Sequence, residues 1–189
     1  MHRATGSAWG VPVHPNQVGL MANLGFTVNS DGGATLTTGT PFDIVNQNSG
    51  SWVDATGWST AKGATVQQWE CSNGTDSTAA NQKWEFTSAG NGYCEVTNVD
   101  APEEAWNGVN DGIANGSLMR LWTYAGNPNV EWEAVSLGNG YYNFIGKGSG
   151  LCLDTPSAPT ANGVQLDIYT SNGTAAQAFK LVSPEWFAS

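Results

Sequence analysis

Residues 150–179 read GLCLDTPSAPTANGVQLDIYTSNGTAAQAF, and a few positions in this stretch organise the whole chain. Asp154 is followed nine residues later by Gly163, and Gly163 six residues later by Tyr169. The same spacing returns at Asp54, Gly63 and Trp69, and again at Asn107, Gly116 and Trp122, with no gap in any copy. The stretch closes on Gln177-Ala178-Phe179, and matching closures stand at Gln82-Lys83-Trp84 and Val130-Glu131-Trp132. Their final aromatics lie 48 residues apart (84 to 132) and then 47 (132 to 179). Self-similarity at a fixed period of this size marks a fold built from repeated supersecondary units.

Each unit reads as short strands. Val164, Leu166 and Ile168 alternate with polar residues, the period-two signature of a half-buried strand. Asn48-Ser49-Gly50, Asn73-Gly74, Asn91-Gly92, Asn139-Gly140, Asn162-Gly163 and Asn172-Gly173 are turn signals between such strands. No segment carries sustained helical periodicity. Three units of roughly four strands each predict an all-β fold of about twelve short strands with pseudo-threefold symmetry.

Composition agrees with that reading and removes several function classes. Of the 189 residues 12% are charged, about half the usual share, while 24 are glycine and nine are tryptophan. Low charge with abundant aromatics is the opposite of a disordered composition. No apolar run approaches the ~20 residues of a membrane helix, so a soluble chain with no membrane partner is expected. Six Lys and Arg against 16 Asp and Glu give a net charge of −10, which repels nucleic acid and heparin-like polyanions but suits a neutral partner.

The threefold Q-x-W-type closures, Cys152-Leu153-Asp154 and Asn172-Gly173-Thr174-Ala175-Ala176-Gln177 resemble the ricin-type β-trefoil. Within it, the chain is most similar to carbohydrate-binding module family 13, found appended to secreted glycoside hydrolases. The resemblance covers residues 40–183; residues 1–39 then read as a flank, tag or linker remnant, with a linker or edge strand over 11–39, and 184–189 as a tail. It implies an extracellular, monomeric module that binds a neutral polysaccharide or oligosaccharide of galactose, xylose or glucose type. No cofactor or metal is implied.

A sugar ring has an apolar face of C–H groups and a rim of hydroxyls. An aromatic platform and a nearby carboxylate or amide match these two features. The repeats offer Asp54 with Trp69, Asn107 with Trp122, and Asp154 with Tyr169, always fifteen residues apart. The resemblance implies that the acid or amide engages adjacent hydroxyls and that an Asn just beyond the platform adds a contact. Asn172 fits that position in repeat three, and Asn73 and Asn127 fit it more loosely in the others. Asp54 and Asp154 also precede turns, where an Asp commonly caps its own loop. Trp84, Trp132 and Phe179 are assigned to the core.

The repeats are unequal. Asn107 lacks the charge of its counterparts, so repeat two is expected to bind more weakly or to prefer another hydroxyl arrangement, with a loop around Asp100–Glu104 walling its pocket. Repeat three matches the family best. Cys152 and Cys71 meet Ser171 and Trp52 where the family places bridging cysteines, so neither intra-repeat disulfide is expected, and Cys94 reads as a buried thiol.

Two other function classes compete. His2 and His14 lie in the flank and no nucleophile–histidine arrangement or phosphate loop occurs, so no catalytic residue is assigned. A glycosidase with paired carboxylates remains an alternative on residue types alone. A trefoil protease inhibitor would need a rigid projecting loop, and Asp100–Glu104 is an unpromising acidic one.

Overall fold

The computed structural model describes residues 41–71 and 79–182, together with the backbone of two short strands in the N-terminal flank. Those flank strands, β1 (Phe26–Val28) and β2 (Ala34–Leu36), pair antiparallel. The rest of the flank, the tail and Asn73 lie outside the described residues.

Alternating apolar residues build the strands of each repeat. Repeat one supplies β3 (Phe42–Asn46), β4 (Trp52–Ala55), β5 (Val66–Trp69) and β6 (Lys83–Gly90). Repeat two supplies β7 (Tyr93–Asn98), β8 (Ala101–Gly108), β9 (Ser117–Thr123) and β10 (Glu131–Gly138). Repeat three supplies β11 (Tyr141–Gly146), β12 (Cys152–Asp154), β13 (Val164–Gln165), β14 (Asp167–Tyr169) and β15 (Phe179–Val182). Since β13 and β14 are two halves of one interrupted strand position, each repeat contributes the four expected strands.

The first and last strands of the repeats pair into a closed ring, β3–β6–β7–β10–β11–β15 and back to β3, antiparallel throughout. Closure removes the exposed edges that invite aggregation. The middle strands form three hairpins, β4–β5, β8–β9 and β12–β14, over one end of this barrel. They lock onto one another through β5–β13, β9–β14 and a bridge from Thr65 to Arg120. This is a β-trefoil: a six-stranded barrel under a triangular cap.

Consecutive repeats are joined by tight hairpins at Asn91-Gly92 and Asn139-Gly140. Both residues of each turn have positive φ (54° and 85°; 54° and 79°). Asn followed by Gly suits this because glycine adopts positive φ freely and asparagine tolerates it.

The expected core residues fill the barrel. Trp84, Trp132 and Phe179 are all but fully buried. The first two also satisfy their indole N–H groups, donating to Val53 O at 2.9 Å and Trp106 O at 3.1 Å. Burying a tryptophan without such a partner would cost an unmade hydrogen bond. Trp106 stands where the other repeats have Val53 and Leu153, and its ring meets Trp84, Trp132 and Phe144 at centroid distances of 5.3, 6.0 and 5.4 Å. Cys71, Cys94 and Cys152 are all free thiols. Cys94 is buried, its Sγ donates to Trp132 O at 3.2 Å, and burial pushes its pKa up to about 12.

Candidate functional site

The three cap hairpins set equivalent positions opposite one another: Asp54 against Gln67, Asn107 against Arg120, and Asp154 against Asp167. Side chains two apart on a strand share a face, so Trp69, Trp122 and Tyr169 stand on the same side as Gln67, Arg120 and Asp167. Three sets of equivalent positions therefore ring the cap. Their chemistry differs.

In repeat one Asp54 is buried, and its carboxylate accepts from three side-chain amides. Gln67 Nε2 reaches Oδ1 at 2.9 Å, while Asn81 Nδ2 and Gln82 Nε2 reach Oδ2 at 2.8 and 3.1 Å. Asn81 and Gln82 ride on a single 3-10 turn, Ala80–Gln82, directly before the core strand β6. Burial still raises the Asp54 pKa above the usual carboxylate value, with the three amides pulling the other way. Beside this cluster Trp69 is 39% exposed. Trp58, on the turn Thr56–Trp58, is also exposed.

In repeat two the acceptor is a neutral amide and its donor a guanidinium. Asn107 is fully buried, its Oδ1 accepts from Arg120 Nε at 3.0 Å, and its Nδ2 has no partner. The Trp122 platform carries two cations, Arg120 Cζ at 3.8 Å and Lys62 Nζ at 4.2 Å from the ring centroid. The ring is only partly exposed. The expected acidic loop beside this site is instead strand: β8 begins at Ala101, and Glu104 pairs opposite Thr123 and accepts its hydroxyl at 3.1 Å.

Repeat three has a carboxyl pair. Asp154 and Asp167 are both buried and hydrogen-bond each other, and Gln177 also donates to Asp154. Burial, together with the Asp154 charge, pushes Asp167 up to about 7. Burial raises Asp154 as well, against the hydrogen bonds from Gln177 and Asp167. Both carboxyls are thus held above the ordinary carboxylate range. Tyr169 is 43% exposed beside it.

The asparagines expected to add a third contact do not sit alike, and one outside that expectation lies against Asp54. The asparagine brought against Asp54 is Asn81, three residues before the core tryptophan, and the equivalent positions in the other repeats are Asn129 and Ala176. Asn172 spends its side-chain oxygen on its own turn, accepting from Thr174 N at 3.0 Å and Thr174 Oγ1 at 2.7 Å. Asn127 is exposed and opens the 3-10 turn Pro128–Val130. Asp54 and Asp154 do not cap their own loops; each points into the cluster described above.

The repeated spacing to glycine also acquires a different meaning. Each glycine serves the next repeat, not its own: the N–H groups of Gly63, Gly116 and Gly163 donate to Leu121 O, Ile168 O and Gln68 O at 2.8, 2.9 and 2.9 Å. The residue before each glycine reaches the strand that carries the neighbouring ring. Asn162 Oδ1 accepts from Glu70 N, and Asn115 Oδ1 from Thr170 N, both at 2.8 Å. The third such residue is Lys62, on Trp122. Among the described residues no group of three His, Cys, Asp or Glu side chains converges to hold a metal, and no helix is long and apolar enough to cross a membrane.

The architecture has relatives. The designed threefold-symmetric protein ThreeFoil is 30% identical with a TM-score of 0.69, over 75% of this chain and 97% of its own. The exo-β-1,3-galactanase of Clostridium thermocellum is 27% identical with a TM-score of 0.72, over 77% of this chain but 30% of the galactanase. The ricin B-like lectin of Macrolepiota procera, solved with lactose, shares the fold at 15% identity (TM-score 0.63, 78% of this chain and 97% of its own). No curated protein matches by sequence. The family model for ricin-type beta-trefoil lectin domain-like sequences matches in three overlapping stretches, residues 23–122, 80–169 and 128–185. With the three repeats thus accounted for, the chain belongs to the ricin-type β-trefoil lectin-like family.

Proposed function

We propose that the chain is a non-catalytic carbohydrate-binding module, and that its strongest site for a neutral sugar is in repeat one. The observation that carries this reading is the Asp54 carboxylate, braced by Gln67, Asn81 and Gln82 beside the exposed Trp69. A sugar's C–H face stacks on the indole while its hydroxyls meet a rigid rim of carboxylate and amides. Rigid partners lose little entropy on binding, which matters for a ligand offering few contacts. Tyr169 with Asp154 provides a second site of the same kind.

The carboxyl pair in repeat three does not favour a glycosidase. Retaining enzymes hold their two carboxyl groups ~5–5.5 Å apart and inverting enzymes further. Asp154 and Asp167 are buried and interact directly with each other, unlike two carboxyls that flank a bound glycosidic bond. The galactanase, of which the matched part is 30%, supports reading the chain as a module appended to a secreted polysaccharide-degrading enzyme. Single shallow sites are weak, and engaging two on one polymer raises avidity through effective concentration.

Calorimetric titration with lactose, xylobiose and cellobiose tests the assignment. One of these sugars is expected to bind the native chain, and Trp69→Ala to weaken it at least about tenfold, the loss of roughly 1.4 kcal/mol. Because Trp69 is exposed, the variant should fold normally. Undiminished binding by Trp69→Ala would remove repeat one from the reading.

A further inference from the structure

Repeat two is not a weaker copy of repeat one; its charges point to a different ligand. We propose that it takes a saccharide bearing a carboxylate, of uronic-acid type, an inference that rests on the carbohydrate-binding reading of the fold.

Three observations converge on the same few atoms. First, Lys62 and Arg120 come from different repeats and meet on one ring, Trp122. In a chain of net charge −10, neither has a carboxylate within 4 Å among the described residues. Lys83 and Lys147, by contrast, pair with Asp43 and Glu131. Two cations on one ring, with no paired carboxylate among the described residues, create a local positive potential that favours an incoming anion.

Second, Asn107 fixes the orientation of the guanidinium. Its Oδ1 accepts from Nε, the inner edge of Arg120. The Nη groups make no hydrogen bond among the described residues, and they form the fork that matches a carboxylate in bidentate geometry. Contact with the face of Trp122 restrains the guanidinium and spares it part of the ordering cost.

Third, the buried carboxyl groups that define the other two sites are absent here. Asn107 stands for Asp54 and Asp154, and Arg120 for Gln67 and Asp167. Asn107 Nδ2 is an additional buried donor without a partner. Buried polar groups are rarely left unpaired, so an orphan donor behind an Arg–Lys pair is complementary to an acceptor-rich anion. The cations also cover Trp122, so recognition shifts from stacking to charge.

The test uses the intact chain at low salt with three probes: trigalacturonate, its neutral methyl ester, and galactose 6-sulfate. The indole N–H resonances of Trp122 and Trp69 are followed together by NMR. Trigalacturonate is expected to perturb Trp122, to bind at least about tenfold more tightly than the ester, and to weaken as salt rises. Lys62→Gln, an exposed substitution, and Arg120→Gln should each lower its affinity at least about fivefold. Equal binding of acid and ester, or no effect of either substitution, overturns the proposal. Sulfate bound as tightly as the carboxylate overturns the uronic-acid assignment. The Trp69 signal with lactose reports repeat one separately, so failure there is distinguishable from failure at Trp122.

Discussion

Repeats one and two place the same cross-strand pair beneath the same kind of ring, yet the two sites handle their buried polar group in opposite ways. Asp54 is a burial-penalised anion surrounded by three amide donors. Asn107 is a neutral amide with one charged donor on its oxygen and nothing on its nitrogen. Backbone geometry is shared, so the difference lies in side chains alone. A trefoil can keep its cap register and still change the chemistry of each corner, because register comes from strand pairing while that chemistry comes from two or three side chains per hairpin.

The largest expected contrast is in stability. Asp54→Ala leaves Gln67 Nε2 without its acceptor and strips one bond each from Asn81 and Gln82, which retain backbone acceptors at Ala55 and Glu70. Buried unpaired donors cost ~1–3 kcal/mol each, partly offset here by relieving a carboxylate that burial disfavours. A loss of about 2–3 kcal/mol is expected by urea unfolding. Asn107→Ala removes an already unpaired donor along with one hydrogen bond and should cost at most about 1 kcal/mol. Equal losses would show that the amide bracing of Asp54 has no energetic weight.

The threefold spacing made the fold and the rings readable in the sequence, since the spacing within each repeat stays exact even where residue types drift. The polar half of each site was harder to see. Gln67, Arg120 and Asp167 stand two positions before their rings, and strand alternation alone would have put them on the ring's face. Asn81 lies twelve residues beyond the Trp69 ring in sequence, and only the 3-10 turn before the next core strand brings it back to Asp54. Asn172 resembled a ligand, but asparagine before Gly-Thr readily closes a local turn, and here it does. Which glycine serves which ring was invisible in sequence, because cap loops reach across to the neighbouring repeat.

A smaller effect sharpens the comparison with repeat three. Asp167 occupies the position of Gln67 but brings a second carboxyl where Gln67 brings a donor. Its pKa rises from 3.8 to about 7 on folding, so the folded chain keeps a proton that the unfolded chain releases. The resulting stability is fully present below about pH 4 and is lost progressively as pH rises to about 7. Asp167→Asn replaces the proton with an amide that can donate to Asp154 at any pH. It should flatten this slope and raise stability at pH 8 by on the order of 1–2 kcal/mol, with little change at pH 4. Parallel urea profiles for the variant and native chain between pH 4 and 8 would refute the raised Asp167 pKa.

The smallest effect asks whether a site belongs to one repeat or two. Gly163 of repeat three has φ +79°, and a Cβ there would lie 3.5 Å from the Trp69 ring of repeat one. Gly63 has φ +92°, and its Cβ would lie 4.0 Å from Trp122. Either Gly→Ala change forces an L-residue into left-handed backbone and should cost about 1 kcal/mol. Their effects on binding should differ. Gly163→Ala adds a methyl against the ring edge and disturbs a loop that Gln68 Nε2 ties to repeat one by donating to Pro159 O and Ala161 O at 3.0 and 2.7 Å. It is therefore expected to weaken neutral-sugar binding at Trp69 about threefold, although residue 163 is 94 positions away along the chain. Gly63→Ala carries the same backbone strain at the other ring and serves as the matched control. If both variants lower affinity at Trp69 alike, the loss reflects general destabilisation of the cap; if only Gly163→Ala does, the sugar site is assembled across the repeat boundary.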